Sequence, residues 1–501
     1  MNKMLLNVLI IISSLIVFQG CSDDDTTTAS NSCATYYTTV TESTAGVEDC
    51  TQTQEECEEG TTALQNWCAD GCESADVAEA DSMCSEEFAA FTASEITALC
   101  QLSISSCDSG DGGDDSGDST NTSNIINTDT TWSGQISLES QVYVTNGATL
   151  TIEAGTTITA TATDSAGQAT ALVIERGAKI MAEGTADSPI TFTSEAGTGT
   201  GTWGGLIING NAPISNDGGE AFVEGLVGVP YGGNDPADNS GVLRYVRVWH
   251  GGNVIGQDNE INGITLAGVG NSTVVEHCEV AYNQDDGFEM FGGTVDLKNC
   301  AVINVGDDAF DTDNGYQGRG QFLFVHRDSN SDKAHEMDNK TDNNFDSQPR
   351  SHPIFSNVTI VGGNENAVRV REGTGGDFRN YIIVGGAEGF RNDDNGTELV
   401  TQDLSSTSGL YPDYLYISPN NVVYNGDSAC FKDFDDSSTF SGTCIDSDTG
   451  VSAEPLNVIP TSAGAAYEGI DTVESNWFEQ TDYKGAFGTT NWHIGWSILS
   501  Q

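Results

Sequence analysis

One stretch of this chain aligns on itself without a gap. The run from His277-Cys278-Glu279-Val280 to Asp285-Asp286-Gly287-Phe288-Glu289 returns as Asn299-Cys300-Ala301-Val302 to Asp307-Asp308-Ala309-Phe310-Asp311, 22 residues later. That period is too short for two helices and is filled with β-branched residues, Gly and Asn, so it fits one full coil of a parallel β-helix. Each coil lays its residues about 4.8 Å above their equivalents in the coil before, which turns matching positions into stacks. Val280 over Val302 and Phe288 over Phe310 fill the interior. Cys278 over Cys300 comes within the range a disulfide spans. Asp285-Asp286 over Asp307-Asp308 forms a ladder of paired carboxylates, the feature best suited to carry chemistry.

From about Thr130 to Val400 the chain reads as many short strands separated by Gly, Asn and Asp turns, among them Val142–Val144, Leu172–Ile174, Ile264–Leu266 and Val358–Val361. Asn366 to Arg369 and Glu388 to Arg391 are again 22 residues apart. A β-sandwich would instead show hairpins with tight two-residue turns. The expected fold is therefore all-β, a parallel β-helix solenoid over 130–400. A solenoid must close its last coil, because an open sheet edge invites pairing. The aromatic tail over 401–501, with Trp477, Tyr483, Phe487, Trp492 and Trp496, is expected to be further coils and that cap.

The segments before the solenoid differ in kind. Residues 1–20 hold Lys3 and the apolar run Met4 to Phe18, the length of a signal-peptide core and too short to span a bilayer. The run ends Phe18-Gln19-Gly20-Cys21, a small residue before Cys, so Cys21 is the expected lipidation site; the alternative is an ordinary cleaved signal with Cys21 in a disulfide. Residues 21–32 then form the tether, and Ser22-Asp23-Asp24-Asp25 resembles the acidic export tag of Bacteroidetes surface lipoproteins. The expected location is the outer membrane, facing outward, with the membrane reached through the lipid on Cys21. Residues 33–107 carry eight of the thirteen cysteines and read as short helices stapled by disulfides, a stalk module. A zinc site at Cys68 and Cys72 is the competing reading. Residues 108–129 open with an almost purely polar run of Asp, Gly and Ser and are a solvated linker. Of the remaining cysteines, Cys278 with Cys300 and Cys430 with Cys444 pair by proximity.

Charge narrows the partners. Only 17 Lys and Arg stand against 75 Asp and Glu, a formal charge of −58, which excludes nucleic acid and bare anionic membrane as ligands. Nine of the 17 cations fall between Arg319 and Arg391, so an anionic ligand would be tolerated there if anywhere. Stacked Asp pairs repel, and the site must raise a pKa, bind a cation or splay its side chains into solvent. Asp307, Asp308, Asp311 and Asp313 offer the hard oxygen ligands of a structural Ca²⁺. No cofactor is otherwise required.

Residues 130–501 resemble a family of exported bacterial right-handed β-helix proteins, many of them lipoproteins, within the wider pectin-lyase-like class. The matching phrases are Trp203 to Pro213, Tyr231-Gly-Gly-Asn-Asp-Pro236, Asn239 to Arg247, Asp285 to Gly293 and Asp482-Tyr-Lys-Gly-Ala-Phe487. The resemblance implies a right-handed solenoid and no agreed reaction. A weaker resemblance is to polygalacturonase-type hydrolases, through Asn283-Gln284-Asp285-Asp286, then Asp307-Asp308, then His335, then Arg369-Val370-Arg371. Carried over, it makes Asp307 the acid, Asp286 and Asp308 the activators of water, His335 a member of the site, and Arg369 and Arg371 the holders of a substrate group. Gln284, Arg371 in place of Lys, and His335 without flanking glycines depart from that pattern. Elimination by a Ca²⁺-dependent lyase, with an Arg as base, is the other enzymatic reading. Tyr316, Trp203, Tyr245 and Trp249 could stack on sugar rings or pack a coil corner. His250 and His277 read as structural.

Two functions follow as expectations. The first is a lipid-anchored surface module that binds extracellular polysaccharide or serves an outer-membrane uptake or adhesion complex. The second is a glycan hydrolase or lyase built on the Asp ladder and the Arg pair.

Overall fold

The computed structural model describes residues 124–393 and 415–500, each with short breaks. Among these residues there is no α-helix, and the long ladders are parallel. The signal segment, Cys21 and the Cys-rich module lie outside the described residues.

The solenoid has three faces. The first is an eleven-stranded ladder from Ile125–Ile126 to Phe431–Lys432, which includes Phe288–Phe291, Phe310–Asp313, His335–Met337, Val368–Arg371 and Phe390–Asp393. The second and third faces belong to one bent sheet, whose strands Arg319–Arg327, Ile354–Gly362 and Gly376–Val384 run through the bend unbroken. The 22-residue period is the bare coil: Phe288 pairs with Phe310, and Val368 with Phe390. Longer coils differ only by their loops. Side chains alternate along each strand, so Phe288 and Met290 turn inward while Glu289 and Phe291 turn out. Inside, the rings of Phe288 and Phe310 stack at 5.2 Å.

The bend is made by one residue per coil in the left-handed region. Tyr245, His277, Asn299, Phe322, Asn357 and Asn380 form this column, with φ between 49° and 61°. A left-handed residue bends the strand in a single step, and Asn accepts that conformation more readily than most L-residues. Where the column holds rings instead, neighbours support them: Tyr245 stacks on His277 at 4.5 Å, and Trp496 meets the edge of Tyr245.

The outer side of the first face changes character along its length. Between Leu206–Asn209 and Ile264–Ala267 a long insertion folds back, and its Ile214, Val223, Leu226, Val229 and Tyr231 cover Val173, Ile207 and Ala267. Those strands are buried on both sides and are apolar except for Asn209 and Thr265. Beyond Phe288–Phe291 the outward residues become charged.

The tail has two parts. Strands Leu415–Ile417 and Val422–Asn425 continue the coils past residue 400. After Phe431–Lys432 on the first face and the bridge from Ile445 to Val423, the chain runs back along the bent sheet's outer surface as a strap. Asp471 meets Asn380, Glu479 meets Gln321, Ala486 meets Thr359 and Trp496 meets Arg247. Ala281, Ile303, Phe324, Val361 and Ile382 are apolar on that outer surface and pack against Ala486, Phe487 and Trp492. Burying them there removes their apolar surface from water.

Cys430 and Cys444 are bridged. Cys278 and Cys300 are not: both are buried free thiols, turned toward the main-chain carbonyls of Leu243 and Glu276, and of Val275 and Lys298. In-register parallel neighbours point their Cβ atoms the same way about one strand spacing apart, ~4.8 Å. A disulfide needs them at ~3.5 to 4.5 Å and inclined toward each other.

Candidate functional site

The Asp ladder splits into two columns with different duties. In the inner column, Asp286 and Asp308 are buried, and each carboxylate accepts a hydrogen bond from the main chain of the next coil. The Asp308 N–H donates to Asp286 Oδ1 at 2.9 Å and the Lys333 N–H to Asp308 Oδ1 at 2.6 Å. The outer column is Asp285, Asp307, Asp332 and Glu365, which line one side of an open groove of about 780 Å³. Lys333, Asn366, Arg369, Arg391 and Asp393 line the rest, with the loop from Ser329 to Ser331 and Gln284.

The outward residues of the first face continue the pattern. One row reads Glu289, Asp311, Glu336, Arg369, Arg391, each paired in register with the next. Glu336 is its hub: Lys333, Arg369 and Arg371 approach its carboxylate to 3.3, 3.1 and 2.5 Å. Arg369 also pairs with Asp393 at 2.6 Å and Arg371 with Asp338 at 2.7 Å. The cationic stretch expected to admit an anion is thus taken up by the protein's own carboxylates. Arg319 pairs with Asp296 and Arg379 with Asp377 in the same way, and buried Arg327 gives its guanidinium to the carbonyls of Asp332, Gly362 and Asn366.

Several expected site residues belong elsewhere. His335 lies inside the solenoid, fully buried among Phe310, Phe355 and Tyr381, in the position that Phe310 fills one coil earlier. Burial, with Arg327 adding to it, pushes its pKa down to about 3, so it is a neutral core residue. Tyr316 is also fully buried, its hydroxyl donating to the Val295 carbonyl, and it cannot reach a sugar. Trp203 is interior and donates to the Trp249 carbonyl. Arg371 stands outside the groove lining, whereas Asp307 and Arg369 share it.

Asp332, Lys333, Glu336, Ser331 and Asn366 escaped the sequence reading. A signal was present: Asp332-Lys333-Ala334-His335 is the coil equivalent of Asp307-Asp308-Ala309-Phe310. An insertion in the loop after Arg327 breaks the period, and Lys and His mask the likeness.

Titration follows the same geometry. Burial, then neighbouring carboxylates, push Asp286, Asp308 and Asp311 well above the usual carboxylate range. Asp313 is pushed up to about 7, mainly by burial, and Asp338 to about 6. Burial alone would lower Lys333 and Arg369, yet Asp308, Asp332 and Glu336 around the one and Glu336 and Asp393 around the other raise both.

Carboxylate oxygens of Asp286, Glu289 and Asp311 lie within 4.8 Å of one another, as do those of Asp307, Asp308 and Asp332. The second set already holds the Lys333 ammonium against Asp332 and so fits a metal poorly. The first fits a hard cation better, since Asp311 Oδ1 is buried without a hydrogen-bond partner. Asp313 joins neither set, so the four residues expected to share one ion do not form one site.

Comparison with known proteins returns no match among curated proteins or solved structures. The family described as pectate-lyase like beta helix domain matches residues 124–441, which spans the coils and the groove. With its stacked parallel faces and its match over more than half of its length, the chain belongs to the pectate-lyase-like β-helix family.

Proposed function

We propose that this is an exported, lipid-anchored protein whose groove binds an extracellular glycan at the outer surface of the outer membrane. The groove carries the reading: it is open, about 780 Å³, and lined almost wholly by groups that bond hydroxyls. A flexible polar chain laid across successive coils meets the same kinds of donor and acceptor once per coil. The signal segment and Cys21 support the anchor, and Ser22 to Asp25 support outward display. An uptake or adhesion complex is the setting this placement suits.

An enzymatic reading draws on exposed Asp307 beside Asp308, whose raised pKa suits a general acid. Against it, Asp286 and Asp308 spend their carboxylates on the main chain, and Glu336 and Asp393 hold Arg369 as a cation, unsuited to act as a base. Binding is the stronger reading. Calorimetry of the purified protein against a broad polysaccharide panel tests it. Saturable binding is expected, weakened at least ~10-fold by Asp307→Asn with the fold intact, a loss of about 1.4 kcal/mol or more. No binding by folded protein across the panel would end the reading, and released reducing ends or unsaturated products lost in Asp307→Asn would make it an enzyme.

A further inference from the structure

The groove's charge selects among glycans, an inference that rests on the glycan-binding reading above. Asp285, Asp307, Asp332 and Glu365 present one acid from each of four successive coils along one side. The cations of the lining are each paired with carboxylates. Lys333 contacts Asp332 and Glu336, Arg369 contacts Glu336 and Asp393, and Arg391 lies 3.6 Å from Glu388. Beneath the floor lie two more acids, Asp286 and Asp308. Neighbouring carboxylates add to the upward push of burial on Asp308, and they raise Lys333 and Arg369 against burial, as a net negative field requires.

A second observation is independent of charge. Ser331 and Asn366 line the groove at 3% and 5% exposure, and Ser331 Oγ and Asn366 Nδ2 have no hydrogen-bond partner. Buried polar groups are rarely left so, and a ligand hydroxyl would satisfy either.

We infer that the groove takes a glycan bearing free amino groups, its ammonium groups set along the acid column at Asp285, Asp307 and Glu365, away from the Asp332–Lys333 pair, and its hydroxyls on Ser331 and Asn366. A polyuronate would bring like charge to this wall and be repelled, whereas an aminosugar chain is drawn in. The spacing between acids, one strand separation of ~4.8 Å, is of the order of one sugar ring, so an extended chain meets the column in step.

The test uses the full chain and three probes in EDTA, at a pH low enough to protonate the amines: a glucosamine hexamer, its N-acetylated counterpart and an oligogalacturonate. The amino hexamer is expected to bind at least ~10-fold more tightly than the acetylated one, an advantage that shrinks as salt screens it. Asp285→Asn with Asp307→Asn should abolish that advantage, bringing the amino hexamer's affinity down to that of the acetylated one. Asn366→Ala should weaken both hexamers alike, with thermal unfolding confirming that each variant is folded. Equal affinity for the two hexamers, or preference for the oligogalacturonate, overturns the inference and leaves glycan binding standing. Failure to bind either hexamer also overturns it, and the broad panel then decides the glycan reading separately.

Discussion

The main-chain N–H of Asp308 donates to the carboxylate of Asp286 across one coil, at 2.9 Å. An acid that looks catalytic in sequence is therefore a rung of the solenoid, and charge is the dispensable part of it. Asp286→Asn keeps the Oδ1 acceptor and removes a buried charge, so unfolding in urea should show unchanged or greater stability. Asp286→Ala strands the buried N–H and should cost ~1 to 3 kcal/mol.

Asp313 sets a pH dependence. Its folded pKa of about 7 lies above the ordinary 3.8, raised first by burial. Its contribution is fully present below the ordinary value and is lost as pH rises through the folded one. Thermal unfolding of Asp313→Asn should therefore gain on the parent protein as pH rises from about 4 to about 7. A gap that stays constant over that window would contradict this.

The strap is latched by Glu279. This fully buried carboxylate accepts from the Trp249 indole at 2.8 Å, the Ile498 N–H at 3.0 Å and the His493 ring at 2.6 Å. Burial opposes its ionisation, but these bonds hold its pKa below the ordinary value. The latch is thus intact above that ordinary value and fails only as pH falls through the lower folded one. Glu279→Ala leaves buried donors stranded and should cost ~3 to 5 kcal/mol. Limited proteolysis should then cut within 471–500 before it cuts the coils.

His335 can be replaced to advantage. Neither ring nitrogen has a partner, and aromatic rings surround it. His335→Phe, matching Phe310 one coil below, should stabilise by about 1 to 2 kcal/mol in denaturant unfolding. Glycan affinity should not change. Lost binding in a well-folded variant would return His335 to the site.

The thiols of Cys278 and Cys300 should resist alkylation in the native protein and react on unfolding. Peptide mapping without reductant should find Cys430 joined to Cys444 and no bridge between Cys278 and Cys300.

Much of the fold was legible because a solenoid repeats itself. The 22-residue step from Phe288 to Phe310 appears both in sequence and as the register of adjacent strands. Coils broken by loops were harder to read: Asp332 and Lys333 stand in line with Asp307 and Asp308, but the longer coil between them hid the alignment. Of the expected site, Asp307 and Arg369 do share the groove, while His335 and Tyr316 turn inward.

Local pattern determined which residues repeat, and repetition fixes strand spacing and the stacking of like on like. The sequence therefore sufficed for the parallel coils, the Phe288–Phe310 stack and the existence of an acid ladder. Direction and partnership were decided only in three dimensions. Strand alternation turns His335 inward over Phe310 and Glu336 to the outer side beside Arg369, and a shift of one residue would have exchanged them. Whether Asp308 meets ligand or backbone, whether Arg369 is free or held, and where Trp496 comes to rest all depend on groups from distant coils. Tertiary packing alone brings those groups within a hydrogen bond of one another.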